Sequence, residues 1–150
     1  HDLRVALIGG KAKIAELAAA HWRARYPGLA LIAESGGVVQ ADGVDDEMGE
    51  EARHRLTWFA PQVVLVAFGH PKQERWIARY MADMPGLKVI VGVGGAFDYW
   101  AGIVRRAPKA LQTLGFEWLW RVIHEPKRIG RIFRAVIVFP VLAFIDRFRS

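Results

Sequence analysis

At 150 residues, with 53% hydrophobic content and 24% charged side chains, the chain has enough apolar material for one domain with a substantial core, which excludes disorder along its whole length. The lack of cysteine excludes disulfides and thiolate metal sites, and the five histidines, at positions 1, 21, 54, 70 and 124, lack ligand-like spacing, so no metal is expected. Of the net charge of +6, five charges fall between Arg121 and Ser150, where seven basic residues meet only Glu125 and Asp146. A tail of that kind suits nucleic acid or an anionic membrane.

No signal-peptide pattern opens the chain, which starts at His1 rather than at a methionine and enters a strand almost at once, so a fragment is expected. LRVALI (3–8) reads as a buried strand broken by Gly9-Gly10. Residues 11–25 read as a helix, with Ile14, Leu17, Ala18, His21 and Trp22 on helical spacing. Pro27-Gly28 is a turn and LALIA (29–33) a second strand. A glycine-rich, acidic stretch precedes a helix from about Asp45 to Trp58, and its ADG (41–43) reads as a turn. VVLVAF (63–68) and KVIVGV (88–93) are the third and fourth strands, with a helix from Pro71 to Met84 between them. After Gly95 only helix and loop are predicted.

Continuous apolar strands alternating with helices predict an α/β, Rossmann-like, mostly parallel sheet with flanking helices and a helical, basic C-terminal tail. The expected division is a core over residues 1–125 and an amphipathic tail over 126–150. In such sheets ligands bind beyond the carboxyl ends of the strands. Two of those ends carry chemistry: GHPKQE (69–74) after the third strand and GGAFD (94–98) after the fourth. The first, IGGKAKIA, lacks the G-x-G-x-x-G spacing of a dinucleotide site.

Each cluster has an ordinary reading beside a functional one. Pro71 suits a first helical position and Glu74 an acidic first turn. Against that, Ile77, Tyr80, Met81 and Met84 form a core stripe whose continuation places Gln73 and Glu74 toward the sheet edge, while free N–H groups and Lys72 offer an anion site. Asp98 either caps the next helix or binds a ribose or sugar hydroxyl. Arg105 and Arg106 are a solvated pair or a diphosphate clamp. Glu117 and Arg121, four apart, read first as an ion pair.

Taken together, VLVAFGHPKQERWI, VGVGGAFDYWAG and RRAPKALQTLGFEWLWRVIHEPKRIGR resemble the WecG/TagA/CpsF family, glycosyltransferase family 26, in an ordered match from about Leu3 to Arg134. The resemblance implies an inverting enzyme of bacterial surface polysaccharide synthesis. It would move a hexose or N-acetylhexosamine-type sugar from a UDP-sugar to a polyprenyl-diphosphate-linked acceptor, without an obligatory metal or other cofactor. It implies a donor site at Gly69, Pro71, Lys72, Gln73, Glu74, Gly94, Gly95 and Asp98, with Arg106 or Gln112 near the diphosphate or sugar. Gly92, Phe97, Ala107, Pro108 and Trp118 complete the matched motifs. The family's catalytic carboxylate is implied to lie in an N-terminal segment absent from these residues. No general base is therefore assigned, and weak donor binding with little turnover is expected of this chain alone.

AVIVFPVLAFI (135–145) is an 11-residue apolar run, against roughly 20 needed to span a bilayer. Flanked by arginines, it suits a helix lying in a membrane interface or, alternatively, a terminal core helix. A lipid-linked acceptor favours the first, with Arg121, Arg128, Arg131 and Arg134 on the membrane or acceptor side and a peripheral position at the cytoplasmic face of the bacterial inner membrane. The alternative function is a non-catalytic or other nucleotide-binding Rossmann protein. Specific nucleic-acid binding is not expected, because the tail's charges alternate with aliphatic rather than stacking side chains. The transferred sugar and any homo-oligomer are left open.

Overall fold

The computed structural model describes residues 3–11, 13–104, 106–116, 119 and 120. The chain divides into two compact units, His1–Arg105 and Arg106–Ser150. The boundary expected after residue 125 and the Glu117–Arg121 ion pair lie outside the described residues.

In the first unit, strands β1 (Arg4–Gly9), β2 (Ala30–Glu34), β3 (Val63–Ala67) and β4 (Val89–Gly92) form one sheet in the order β2-β1-β3-β4. Every pairing is parallel; Val5 faces Val63, for example, and Val63 faces Val89. The alternation of strand faces explains the unbroken apolar runs. Val5 and Leu7 of β1 enter a core under helix α1 (Ile14–Arg25) and the short helix α4 (Ala96–Trp100). Ala6 and Ile8 enter a second core under α2 (Glu47–Phe59) and α3 (Lys72–Tyr80). A strand covered on both faces has no polar side to show. The second unit contains α5 (Lys109–Thr113) among its described residues. Among the described residues no helix is long and apolar enough to cross a membrane.

Two helix faces differ from the expected ones. In α1 the buried positions are Ile14, Ala15, Ala18 and Ala19, whereas Leu17 is 49% exposed and His21 is exposed. The small alanines let the helix backbone lie close to the sheet, and Trp22 closes its end against Trp100 at a ring separation of 4.7 Å. In α3 the buried residues are Gln73 and Trp76. The helix passes after Tyr80 into a 3₁₀ turn, Met81–Asp83. That tighter winding turns Met81 outward, to 50% exposure, while Met84 stays in the core.

The orientation of α1 predicts that Leu17→Ala changes unfolding free energy by less than about 0.5 kcal/mol, as for an ordinary surface site. Ala18→Leu should cost about 1–3 kcal/mol by overpacking the sheet contact. Urea unfolding of both variants checks this; the reverse ranking would restore the face predicted from spacing.

Candidate functional site

The strand order places a topological switch point between β1 and β3, since β1 is followed by a strand on one side and β3 lies on the other. The exits of these two strands touch: the Gly10 N–H donates to the Ala67 carbonyl at 3.0 Å. The next residues of β3's exit are Phe68, Gly69 and His70. Gly69 has φ +80° and open space where a side chain would stand, so the chain can turn there with its backbone accessible.

Gln73 joins this exit to that of β4. Its side-chain oxygen accepts the Gly94 N–H at 3.1 Å, and its amide nitrogen donates to Glu74 Oε1 at 3.0 Å. Gln73 itself is only 7% exposed. A Cβ added at Gly92 would fall 2.6 Å from the Gln73 amide nitrogen, so glycine there is what admits the bridge. The two clusters singled out in the sequence are thus joined by one buried amide.

Glu74 lies on the outer side of Gln73 and is exposed, contrary to its expected position facing the sheet edge. Successive residues of α3 point about 100° apart, and it is Gln73 that turns toward the exit of β4, which leaves Glu74 outside. His70 Nδ1 stands 3.4 Å from Glu74 Oε1. Burial pushes the Glu74 carboxyl up, but hydrogen bonds from the Gln73 amide, its own backbone and His70 together hold it below its ordinary value. Pro71 stands just before α3 rather than inside its first turn, after a cis His70–Pro71 bond. The Gln73 N–H is taken by the Gly69 carbonyl at 3.0 Å. The Lys72 ammonium donates to the Val39 carbonyl at 2.6 Å, so it fastens the loop after β2.

Asp98 does not cap α4: Gly95 occupies that position, and Asp98 lies within the helix, half-buried. Its carbonyl accepts the N–H groups of Ile103 and Val104 at 3.0 and 3.1 Å, which folds the following loop back on the helix. Gly94 has φ +53° and open space at its Cβ position. The first unit therefore brings together Gly69, Gln73, Glu74 and Gly94. Arg106 and Gln112 belong to the second unit, where the Gln112 amide donates to the Ala107 carbonyl at 2.6 Å. Arg121, Arg128, Arg131 and Arg134 lie outside the described residues.

Sequence reasoning missed a buried polar group beside this site. Asp46, not Asp45, caps α2, accepting the Gly49 N–H at 2.9 Å. Asp45 turns inward, its side chain 3% exposed, and accepts bonds from Tyr80 Oη at 2.8 Å, Trp76 Nε1 at 3.2 Å and Arg53 Nε at 3.3 Å. Burial, and then the bond to Asp45, push the Tyr80 hydroxyl above its ordinary pKa. The available signal was two adjacent aspartates before a helix that can use only one as cap, with polar-tipped Trp76 and Tyr80 four apart on α3.

Because the folded Glu74 carboxyl is held below its unfolded value, its contribution to stability is present above the ordinary pKa of 4.5 and is lost as pH falls through the folded one. Urea midpoints followed from neutral pH down to about 3 should fall more for the unmodified chain than for Glu74→Gln. Parallel curves would remove Glu74 from the linkage.

The family model described as "Glycosyl transferase WecG/TagA/CpsF family" matches residues 1–150. N-acetylglucosaminyldiphosphoundecaprenol N-acetyl-beta-D-mannosaminyltransferase of Staphylococcus aureus strain MRSA252 is 33% identical over 129 residues, covering 86% of this chain and 48% of that protein. The proteins of the same name from strains MW2 and NCTC 8325 / PS 47 are 32% identical over the same coverage. The chain thus spans about half the length of the curated relatives it matches. With a family match over its whole length, and with the glycine-lined exits of β3 and β4 carrying the motifs that first suggested it, the chain belongs to the WecG/TagA/CpsF glycosyltransferase family.

Proposed function

We propose that this chain carries the nucleotide-sugar half of a glycosyltransferase. The enzyme would move an N-acetylhexosamine-type sugar from a UDP-sugar to a polyprenyl-diphosphate-linked acceptor. The observation that carries the reading is the Gln73 bridge, which holds two glycine-turned strand exits side by side next to the switch point. Exposed backbone at such exits suits the close approach of a diphosphate, and an aspartate one helical turn further on suits a ribose. The relatives' names speak of N-acetyl-β-D-mannosaminyl transfer to an undecaprenol-linked acceptor, which makes that sugar the first donor to try. The general base would come from family residues outside this chain. The arginine-flanked run 135–145 would hold the enzyme to the cytoplasmic face of the membrane, next to a lipid-linked acceptor.

Calorimetric titration separates this reading from a dinucleotide-binding one. UDP should bind and NAD should not. Gln73→Ala, which leaves the Gly94 N–H without its buried acceptor, should weaken UDP binding by about tenfold. NAD binding with UDP silent would favour the other nucleotide-binding Rossmann function.

The tail has its own test. The chain should co-sediment with anionic vesicles more than with neutral ones, and removal of residues 126–150 should abolish the difference. Equal sedimentation in all three arms would leave the tail without a membrane role.

A further inference from the structure

The loop 35–46, between β2 and α2, is fastened to α3 by a series of contacts along the helix. The Lys72 ammonium donates to the Val39 carbonyl at 2.6 Å, and the Arg75 guanidinium donates to the Ala41 carbonyl. At Gly43, with φ +90°, the two backbones are so close that an added Cβ would lie 2.7 Å from the Arg75 carbonyl carbon. Beyond it, the Asp45 carboxylate takes the Trp76 and Tyr80 bonds. At its other end the loop passes the exits of β1 and β3: a Cβ at Gly36 would meet the Phe68 ring at 2.6 Å and Ile8 at 2.8 Å. Loop and helix are thus one piece bordering the switch-point crevice, and the helix's first turn carries Gln73.

We propose that Asp45 is a positioning residue for the donor site: its buried carboxylate locks the 35–46 loop to α3 and so sets where Gln73 holds the exits of β3 and β4. This role rests on the donor-site reading given above. The carboxylate suits it because all three of its partners are donors and both its oxygens are used. Arg53, which supplies the countercharge, also lies over the Tyr80 ring, 4.3 Å from its centroid. A buried anion so surrounded has one low-energy arrangement, and losing it would leave Arg53 and two neutral donors without their acceptor. Asp45→Asn keeps the shape but replaces one acceptor oxygen with an NH₂ group that faces a donor.

Amide hydrogen exchange and UDP titration on the 150-residue chain, as Asp45→Asn, Tyr80→Phe and Leu56→Ala, test the role. Tyr80→Phe removes a single bond and keeps the ring, so it remains informative if Asp45→Asn folds poorly. Leu56→Ala destabilises the same core without removing any of the hydrogen-bond partners of Asp45. Exchange across 36–44 and 72–76 should speed up by about tenfold in Asp45→Asn and less in Tyr80→Phe, with β1 and β3 still protected. UDP affinity should fall by about tenfold in Asp45→Asn but hold in Leu56→Ala. Unchanged exchange in the loop would overturn the lock. A faster loop with unchanged UDP affinity, or an equal loss in Leu56→Ala, would overturn the positioning role. No UDP binding to the unmodified chain would instead sink the donor reading, and exchange alone would then decide whether Asp45 locks the loop.

Discussion

The hydrogen bond from the Gly94 N–H to the Gln73 side chain is the contact on which the geometry of the candidate site depends. Parallel strands have no hairpin to hold their exits together, so beyond the last ladder bond each exit must find its own partner. Here the ladder continues by one bond past β4, from the Val93 N–H to the Val66 carbonyl at 2.8 Å. After that the Gln73 amide takes over, reaching from the first turn of α3 into the space left by Gly92. A buried amide bonded on both ends has little freedom, and an acceptor lost there would leave a backbone donor dry.

That arrangement needs α3 to stand still, and the helix is anchored along its length. Trp76 is fully buried, between the rings of Phe68 and Tyr80, each 5.4 Å away. The cations of the first turns reach the carbonyls of the 35–46 loop. Lys72 would serve an incoming anion as a point charge, but in this structure its ammonium is engaged on the Val39 carbonyl and its effect is mechanical. The buried polar group around Asp45 costs desolvation that the apolar core does not. In some proteins such groups add uniqueness of arrangement rather than net stability, and this one adjoins the proposed donor site.

The fold was legible because its signal is local and repeated. Four apolar runs punctuated by glycine, with helical stretches between them, have few arrangements other than a covered parallel sheet, and the strand positions agree to within a residue or two. The helix faces were less legible. In α1 an alanine stripe rather than the larger Leu17 packs inward, because closeness of approach to the sheet outweighed side-chain size. In α3 the change to a 3₁₀ turn after Tyr80 moved the stripe away from Met81.

By itself, the sequence determined that the chain is an α/β domain, that the polar motifs follow β3 and β4, and which family it joins, since each of these depends on residues close together along the chain or on motif order. Only the tertiary structure decided which of two adjacent residues faces inward, so that Gln73 is buried and Glu74 is not. It alone decided that Lys72 binds a carbonyl 33 residues away and that Asp45 meets Trp76 and Tyr80. Those contacts join distant parts of the chain through the rotation of one helix about its axis. A hydrophobic pattern limits that rotation only to a broad stripe, and it takes the packed sheet and the loop together to select one angle within it.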